Sequence, residues 1–351
     1  MIKLGTINIT KKTQLLMLQA LKEGNIGQGK YVKEFEEKFA KFLGVKHAIA
    51  TANGTLADTC ALAAIKDGRN EVIVPALTFI AQINSLYYNH LTPRFVDVRN
   101  DYQIDTDKIE EKITKNTLAI MPAHLLGKAS EMDKIMALAK RYNLYVIEDT
   151  CEALGTKYQG KYCGTIGDMG CFSFYPSHTL TTGEGGMIIT NNDTLAEIIR
   201  SLINHGRKSD KIEDKFIFPR IGFNAKMNCM EAIIGLGIID NLPELLKKRT
   251  ENLNKLNELL GEPKEDYVPH CYPFMAKSKE ERDQLLTILP QKYGIEVRQT
   301  FCSIPTQNDA YKQEGNYPVA EAIGEMGLYC PIHQNLTSED IYHIANVLKS
   351  L

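Results

Sequence analysis

Three stretches bring together residue types whose spacing can do chemistry. VIEDTCEALG, 146–155, runs an apolar strand pattern into Asp149. A buried carboxylate in that position can pair with a protonated pyridine nitrogen, although an Asp that caps a helix or joins a surface ion pair has the same local signature. TANGTLAD, 51–58, places Gly54 and Thr55 at the start of an apolar helical pattern, Leu56 to Ile65. A turn feeding a helix N-terminus offers free N–H groups and the positive end of the dipole to a phosphate. A plain N-cap at Thr55 explains the same residues. CFSFYPSHTLTTGEGGMIIT, 171–190, breaks a strand, Cys171–Phe174, at Pro176. Ser173, Ser177, His178 and Thr182 lie beside Gly183, Gly185 and Gly186 before the chain re-enters a strand at Met187. Such a loop can close backbone and side chains on a small ligand.

The elements around these stretches alternate. Val32, Phe35, Phe39 and Leu43 recur at helical steps and end at Gly44. Short apolar runs follow: EVIVP at 71–75, RFVDV at 94–98, LAIMPAH at 118–124 and LYVIED at 144–149, with a helical pattern at Met132, Ile135, Met136 and Ala139. Strand–helix–strand spacing of this kind predicts right-handed crossovers and a mainly parallel sheet. Ligands bind beyond the carboxyl ends of such strands, which directs attention to Pro75–Phe79, His124 and Asp149. A second block opens with the long helical span from Met227, interrupted by Pro243, and continues in shorter elements from Val268. The expected division is a large domain, 1–235, and a smaller α+β domain, 236–351, packed tightly together.

Composition narrows the classes. The 351 residues are 44% hydrophobic and 24% charged, which is ordinary for a globular chain with a real core. Lys+Arg 41 against Asp+Glu 43 gives −2, with no basic surplus for nucleic acid or an anionic membrane. The longest uncharged stretch, Val72 to Pro93, contains Pro75, Gln82, Asn84, Asn89 and His90, a poor membrane span. MIKLGTINITKKTQ has no apolar signal core, so a cytoplasmic location is expected. The cysteines, at 60, 151, 163, 171, 229, 271, 302 and 330, form no C-x-x-C or C-x-C pair, and reduced thiols are expected rather than a zinc or iron–sulfur site. The histidines other than His178 (47, 90, 124, 205, 270, 333 and 343) show no metal spacing, so no metal is expected. His124 is the second candidate for the site, since it ends a strand pattern.

With these segments in hand, the chain resembles the sugar-nucleotide aminotransferase family of fold type I pyridoxal-phosphate enzymes. The likeness runs through EGNIGQGKYVKEFEEKFAKFLGVKHAIATANGT, VPALTFIAQ, VIEDTCEALG, SFYPSHTLTTGEGG, IGFNAKMNCMEAIIGLG and YPVAEAIGEMGLYCPIHQNLT, in the family's order over nearly the whole length. It implies an aspartate aminotransferase-like α/β fold with pyridoxal or pyridoxamine 5'-phosphate as cofactor. It assigns Asp149 to the pyridinium nitrogen, which turns the ring into an electron sink. Gly54 and Thr55 match the backbone phosphate grip, Ser173 the phosphate-binding hydroxyl and Phe79 the aromatic stacked on the ring. Glu152 stands where many relatives carry a Gln near the ring's 3'-oxygen. Asn224, in IGFN, matches an Asn reaching the neighbouring subunit's phosphate, which implies a homodimer with composite active sites.

His178 departs from the pattern, because aminotransferases of this family carry there the lysine that tethers the cofactor and shuttles its proton. Imidazole forms no stable imine, yet it accepts a proton near neutrality, with a reference pKa of ~6.5. The same exchange characterises a dehydratase branch that includes GDP-4-keto-6-deoxymannose 3-dehydratase, which HLLGKASEMD and EDTCEALG also resemble. The resemblance therefore implies C3 dehydration of a nucleotide-linked 4-keto-6-deoxy sugar in deoxysugar or surface-polysaccharide biosynthesis. In that reading His178 would be the general base, Asp149 the second catalytic residue, and an amino donor such as glutamate would restore the cofactor amine. An aminotransferase with a substituted lysine and a non-catalytic sugar-nucleotide-binding regulator are the alternatives.

Overall fold

The computed structural model describes residues 1–351 except 6, 8, 25 and 210, so Asn25 of the first family-like segment lies outside the described residues. From the N-terminus, helices α1 (Lys11–Lys22) and α2 (Lys30–Leu43) precede strand β1 (His47–Thr51). In α2 the predicted stripe Val32, Phe35, Phe39 and Leu43 is buried. Gly44, at φ 71°, turns its N–H back to Ala40 and stops the helix. Then follow α3 (Gly54–Ala64), β2 (Glu71–Pro75), α4 (Ile80–Tyr88), β3 (Thr92–Val96), β4 (Thr117–Ile120), α5 (Met132–Tyr142) and β5 (Tyr145–Asp149). A small hairpin, β6 (Lys157–Tyr158) and β7 (Lys161–Tyr162), leads to β8 (Met169–Ser173), β9 (Gly186–Thr190) and α6 (Asp193–Leu202).

Among the described residues seven strands form the central sheet, in the order β1-β9-β8-β5-β4-β2-β3. The run from β8 to β3 is parallel; β9 pairs antiparallel with both β8 and β1. The mainly parallel α/β sheet expected from the alternation is thus present. The strand read at 94–98 lies two residues earlier. Register sets it: Thr92 pairs with Glu71 and Val96 with Pro75, and Asp97 leaves the sheet to accept N–H groups of Val98 and Ala320. Successive strand residues point to opposite faces. In β9, Ile188 packs beneath α3 and α6, whereas Met187 and Ile189 pack under α2 and the next helix, α7 (Cys229–Ile238).

The long helical span after Met227 is two helices. A short 3₁₀ turn at 239–241 separates α7 from α8 (Leu242–Leu260), and Pro243 sits in the first turn of α8, where its missing N–H costs nothing. The chain continues through β10 (Tyr272–Met275), α9 (Lys279–Tyr293), β11 (Arg298–Gln299), α10 (Ile304–Gln307), α11 (Pro318–Met326), β12 (Gly327–Cys330) and α12 (Ser338–Lys349). Its sheet, β10-β12-β11, is antiparallel. Leu253, Leu289, Leu328 and Ile344 form a core there, while Ile304, Tyr317, Ile323 and Tyr329 join the core of the large sheet. Ile2 also exchanges backbone hydrogen bonds with this region, through Gly294 and Glu296 at 2.7 and 2.9 Å. No helix among the described residues is long and apolar enough to cross a membrane.

Candidate functional site

A cavity of about 420 Å³ opens at the carboxyl ends of the parallel strands. Its wall includes Gly54, Thr55, Phe79, Asp149, Glu152, Ser173 and His178, from four separate stretches of the sequence. The size suits a small-molecule ligand. Asn224 is not among them: it is exposed and its Oδ1 accepts from Lys226 Nζ at 2.8 Å. His124 does not line the cavity either. It is buried, receives the N–H of Ser130 on Nδ1 at 3.1 Å and so presents Nε2–H to Glu148 at 2.9 Å. This pairing ties the turn after β4 to β5.

The N-terminus of α3 forms one end of the cavity. The cap is Asn53 rather than Thr55, since the Asn53 side chain accepts the N–H of Leu56 at 2.9 Å. Gly54 and Thr55 occupy the first two helical positions, whose N–H groups have no intrahelical acceptor. A Cβ on Gly54 would lie 2.7 Å from Ser173 Cβ, and one on Gly186 would lie 2.5 Å from the Asn53 carbonyl. The missing side chains let β8 and β9 press against the helix start, which brings the Ser173 hydroxyl beside those free N–H groups. Together they form an anion cradle.

Asp149 ends β5 and is 9% exposed; its Oδ1 accepts the N–H of Cys151 at 3.1 Å, in a turn rather than a helix cap. Burial holds its carboxyl above the usual carboxylate range. Asp58, one turn into α3, is 1% exposed with Oδ1 unpartnered, and burial and the neighbouring Asp149 raise it strongly. Two buried carboxyls that lack a cation suit a protonated ring nitrogen. Phe79 is 56% exposed on the cavity wall, its ring tilted 57° to Phe301 at 5.7 Å, and leaves a face for a flat ligand. Phosphate cradle, carboxylate and aromatic face together fit pyridoxal phosphate.

His178 sits in the loop between β8 and β9, its N–H bonded to Tyr175 O at 2.9 Å. Its Nδ1 lies 2.5 Å from the Cys151 carbonyl. A carbonyl only accepts, so Nδ1 carries the proton and the Nε2 lone pair is free. Burial pushes the imidazole down to about 4. At neutral pH it is therefore a base rather than a cation. The local pattern did not mark the residues that face it. His270, Arg298, Phe301 and Tyr329 reach the cavity from the C-terminal third, as do Tyr175 and Glu184 from the loop itself, beside the Ser177 that the loop pattern did single out. Among the described residues no group of three His, Cys, Asp or Glu side chains is placed to hold a metal ion.

Comparison with known proteins follows the same lines. The model of the DegT/DnrJ/EryC1/StrS aminotransferase family matches residues 8–349. GDP-perosamine synthase of Escherichia coli O157:H7 is 38% identical over 330 residues, 90% of this chain and 89% of that protein. Helicobacter pylori PseC, an aminotransferase involved in the biosynthesis of pseudoaminic acid, superposes with a TM-score of 0.91 at 28% identity, covering 99% of this chain and 98% of its own. The E. coli GDP-4-keto-6-deoxy-D-mannose-3-dehydratase with bound hydrated PLP gives 0.90 at 26% identity, covering 99% and 100%. Fold, cavity and neighbours agree on pyridoxal phosphate, or its amine form, as the cofactor. The chain belongs to the DegT/DnrJ/EryC1/StrS aminotransferase family and is a fold type I, pyridoxal-phosphate-dependent enzyme of sugar-nucleotide chemistry.

Proposed function

We propose that the protein dehydrates a nucleotide-linked 4-keto-6-deoxy sugar at C3. One observation carries this reading: position 178 is histidine, and no lysine is among the residues lining the cavity. When bound in its amine form, the cofactor supplies a nucleophile for the C4 ketone and an electron-poor ring. Gly54, Thr55 and Ser173 would hold its phosphate, Asp149 would keep its ring nitrogen protonated, Phe79 would stack on the ring and Glu152 would serve its 3'-oxygen. The Nε2 of His178 takes a proton as general base. Its short imidazole is poorly suited to hand that proton to sugar C4, so loss of the C3 hydroxyl outruns amino transfer. Glutamate is the proposed amino donor, and a deoxysugar for polysaccharide biosynthesis in the cytoplasm is the proposed output.

We also propose a homodimer whose sites are completed across the interface by Asn224. Just before it, Ile212, Phe216 and Ile221 are 90%, 81% and 95% exposed, an apolar stretch that a second copy would cover.

GDP sugars head the substrate panel, because both the perosamine synthase and the dehydratase relatives carry GDP in their names. Mass spectrometry after mixing protein, cofactor, glutamate and 4-keto sugar nucleotides tests the assignment. A sugar lighter by the C3 oxygen, with release of ammonia, is expected. An amino sugar would make the protein an aminotransferase, and unchanged substrate would favour a binding protein.

A further inference from the structure

The wall opposite His178 holds a second histidine with an unfilled valence. His270 precedes β10; its ring lies against that of His178, centroids 4.9 Å apart and planes tilted by 46°. It is 6% exposed, and its Nδ1 is buried with no hydrogen-bond partner. Its Nε2 lies 3.5 Å from Glu152 Oε1, longer than a formed hydrogen bond and within the distance that ligand binding can close. Leu126 fixes both partners: its N–H donates to Glu152 Oε2 at 2.7 Å and its carbonyl accepts the His270 N–H at 3.1 Å.

We propose that Glu152 and His270 form a proton-delivery pair for the departing C3 hydroxyl, separate from the base His178. The inference rests on the dehydration reading. A neutral imidazole has one N–H and one lone pair. If Nε2 accepts from a protonated Glu152, Nδ1 carries hydrogen, and Nδ1 is the atom left without a partner. A leaving hydroxyl is the acceptor that such an N–H lacks. His178 cannot supply this proton at the outset, because its Nδ1–H is committed to Cys151 and its Nε2 is bare.

The surroundings support the protonation states. Burial raises Glu152 to about 7, and the nearby Asp149, Cys271 and Tyr329 offer it no cation. Arg249, 1% exposed, donates to the Pro269 and His270 carbonyls at 2.9 and 3.0 Å, and among the described residues no carboxylate pairs with it. Burial keeps His270 neutral, and the neighbouring His178, this buried cation and Arg298 add to the effect. In the step itself, His178 Nε2 takes a proton from carbon, and the electron pair left behind expels the C3 oxygen. The His270 Nδ1 proton goes to that oxygen, giving water, while the Glu152 proton moves to His270 Nε2. The site is left with an imidazolium at 178, a carboxylate at 152 and His270 protonated on Nε2; a proton passed from His178 to His270 Nδ1, with the Nε2 proton returning to Glu152, restores it.

Histidine ¹⁵N NMR of the cofactor-loaded dimer, just below neutral pH, reads the tautomer directly. Turnover of the parent, Glu152→Gln and His270→Phe is measured alongside it. We expect His270 to carry hydrogen on Nδ1. Glu152→Gln still donates to Nε2 but holds no acidic proton, so it should keep that tautomer while kcat falls about 10–100-fold with KM unchanged. The fall of kcat above about pH 7 expected of the parent should vanish in this variant. His270→Phe keeps a ring against His178 and should lose turnover to a similar extent. Hydrogen on Nε2, or a dehydrating parent matched in rate and pH profile by Glu152→Gln, overturns the pair alone. A parent that yields only amino sugar overturns the dehydration reading and the pair with it, and the product tells the two failures apart.

Discussion

At position 178 an imidazole replaces a primary amine, and the consequence for the cofactor is chemical rather than steric. With no lysine on the cavity wall, the cofactor is to be held by its phosphate, by Asp149 and by stacking on Phe79. Borohydride treatment followed by peptide mapping should yield no phosphopyridoxyl-lysine, and a stoichiometric adduct on any lysine would show that another residue supplies the tether. Glu152 makes a second residue-scale statement. Its carboxyl titrates near 7 in the folded chain against 4.5 when unfolded, because it is buried. The folded state therefore holds the proton more tightly. The stability this confers is complete below about pH 4.5 and is lost as pH rises through 7. Glu152→Gln does not ionise, so in cofactor-free protein it should gain on the parent by about 3 kcal/mol across that window, read by urea unfolding at both ends. A difference that stays constant with pH would place Glu152 in water.

At the scale of elements, the site depends on how closely α3 is seated against β8. Gly54→Ala puts a methyl 2.7 Å from Ser173 Cβ, so helix and strand must part. Cofactor affinity should fall at least about tenfold, some 1.4 kcal/mol, in a fluorescence titration. Asn53→Ala should instead act mainly on stability, costing about 1 kcal/mol as a lost helix cap. Equal cofactor affinity in parent and Gly54→Ala would remove the phosphate cradle from the account. The elements themselves were largely legible: EVIVP and LYVIED are mostly buried strands, as their short apolar runs suggest. The details that hydrogen bonding decides were not. Asn53 rather than Thr55 caps α3 because its side-chain Oδ1 accepts the N–H of Leu56, and β3 starts at Thr92 because β2 sets its register. Arg249 sits in LLKKRT of α8, where nothing local marks it for burial, yet it is buried and satisfied by the Gln334 side chain and by the backbone carbonyls of Pro269 and His270.

For the whole molecule, the two parts of the site come from opposite ends of the chain. The residues proposed to hold the cofactor within one chain lie in motifs of the first 180 residues, where the family resemblance points to them. His270, Arg298, Phe301 and Tyr329 carry no such signature, since only the packing of the C-terminal elements onto the large sheet brings them to the cavity. The same holds for Ile2, which pairs with residues nearly three hundred positions away. Assembly extends this argument to a second copy. Asn224→Ala should leave a dimer by sedimentation but weaken cofactor retention, whereas a monomer with undiminished affinity would refute the composite site. The central claim is that His178 directs the enzyme toward elimination, and the product ratio of parent and His178→Lys tests it most directly. The account expects the parent to release 3-deoxy sugar and ammonia. The lysine variant should acquire a covalent cofactor link, seen as a shifted absorption band, and lose dehydration by about 10²–10⁴-fold, the range of a positioned general base. Dehydration by His178→Lys as fast as the parent would contradict it.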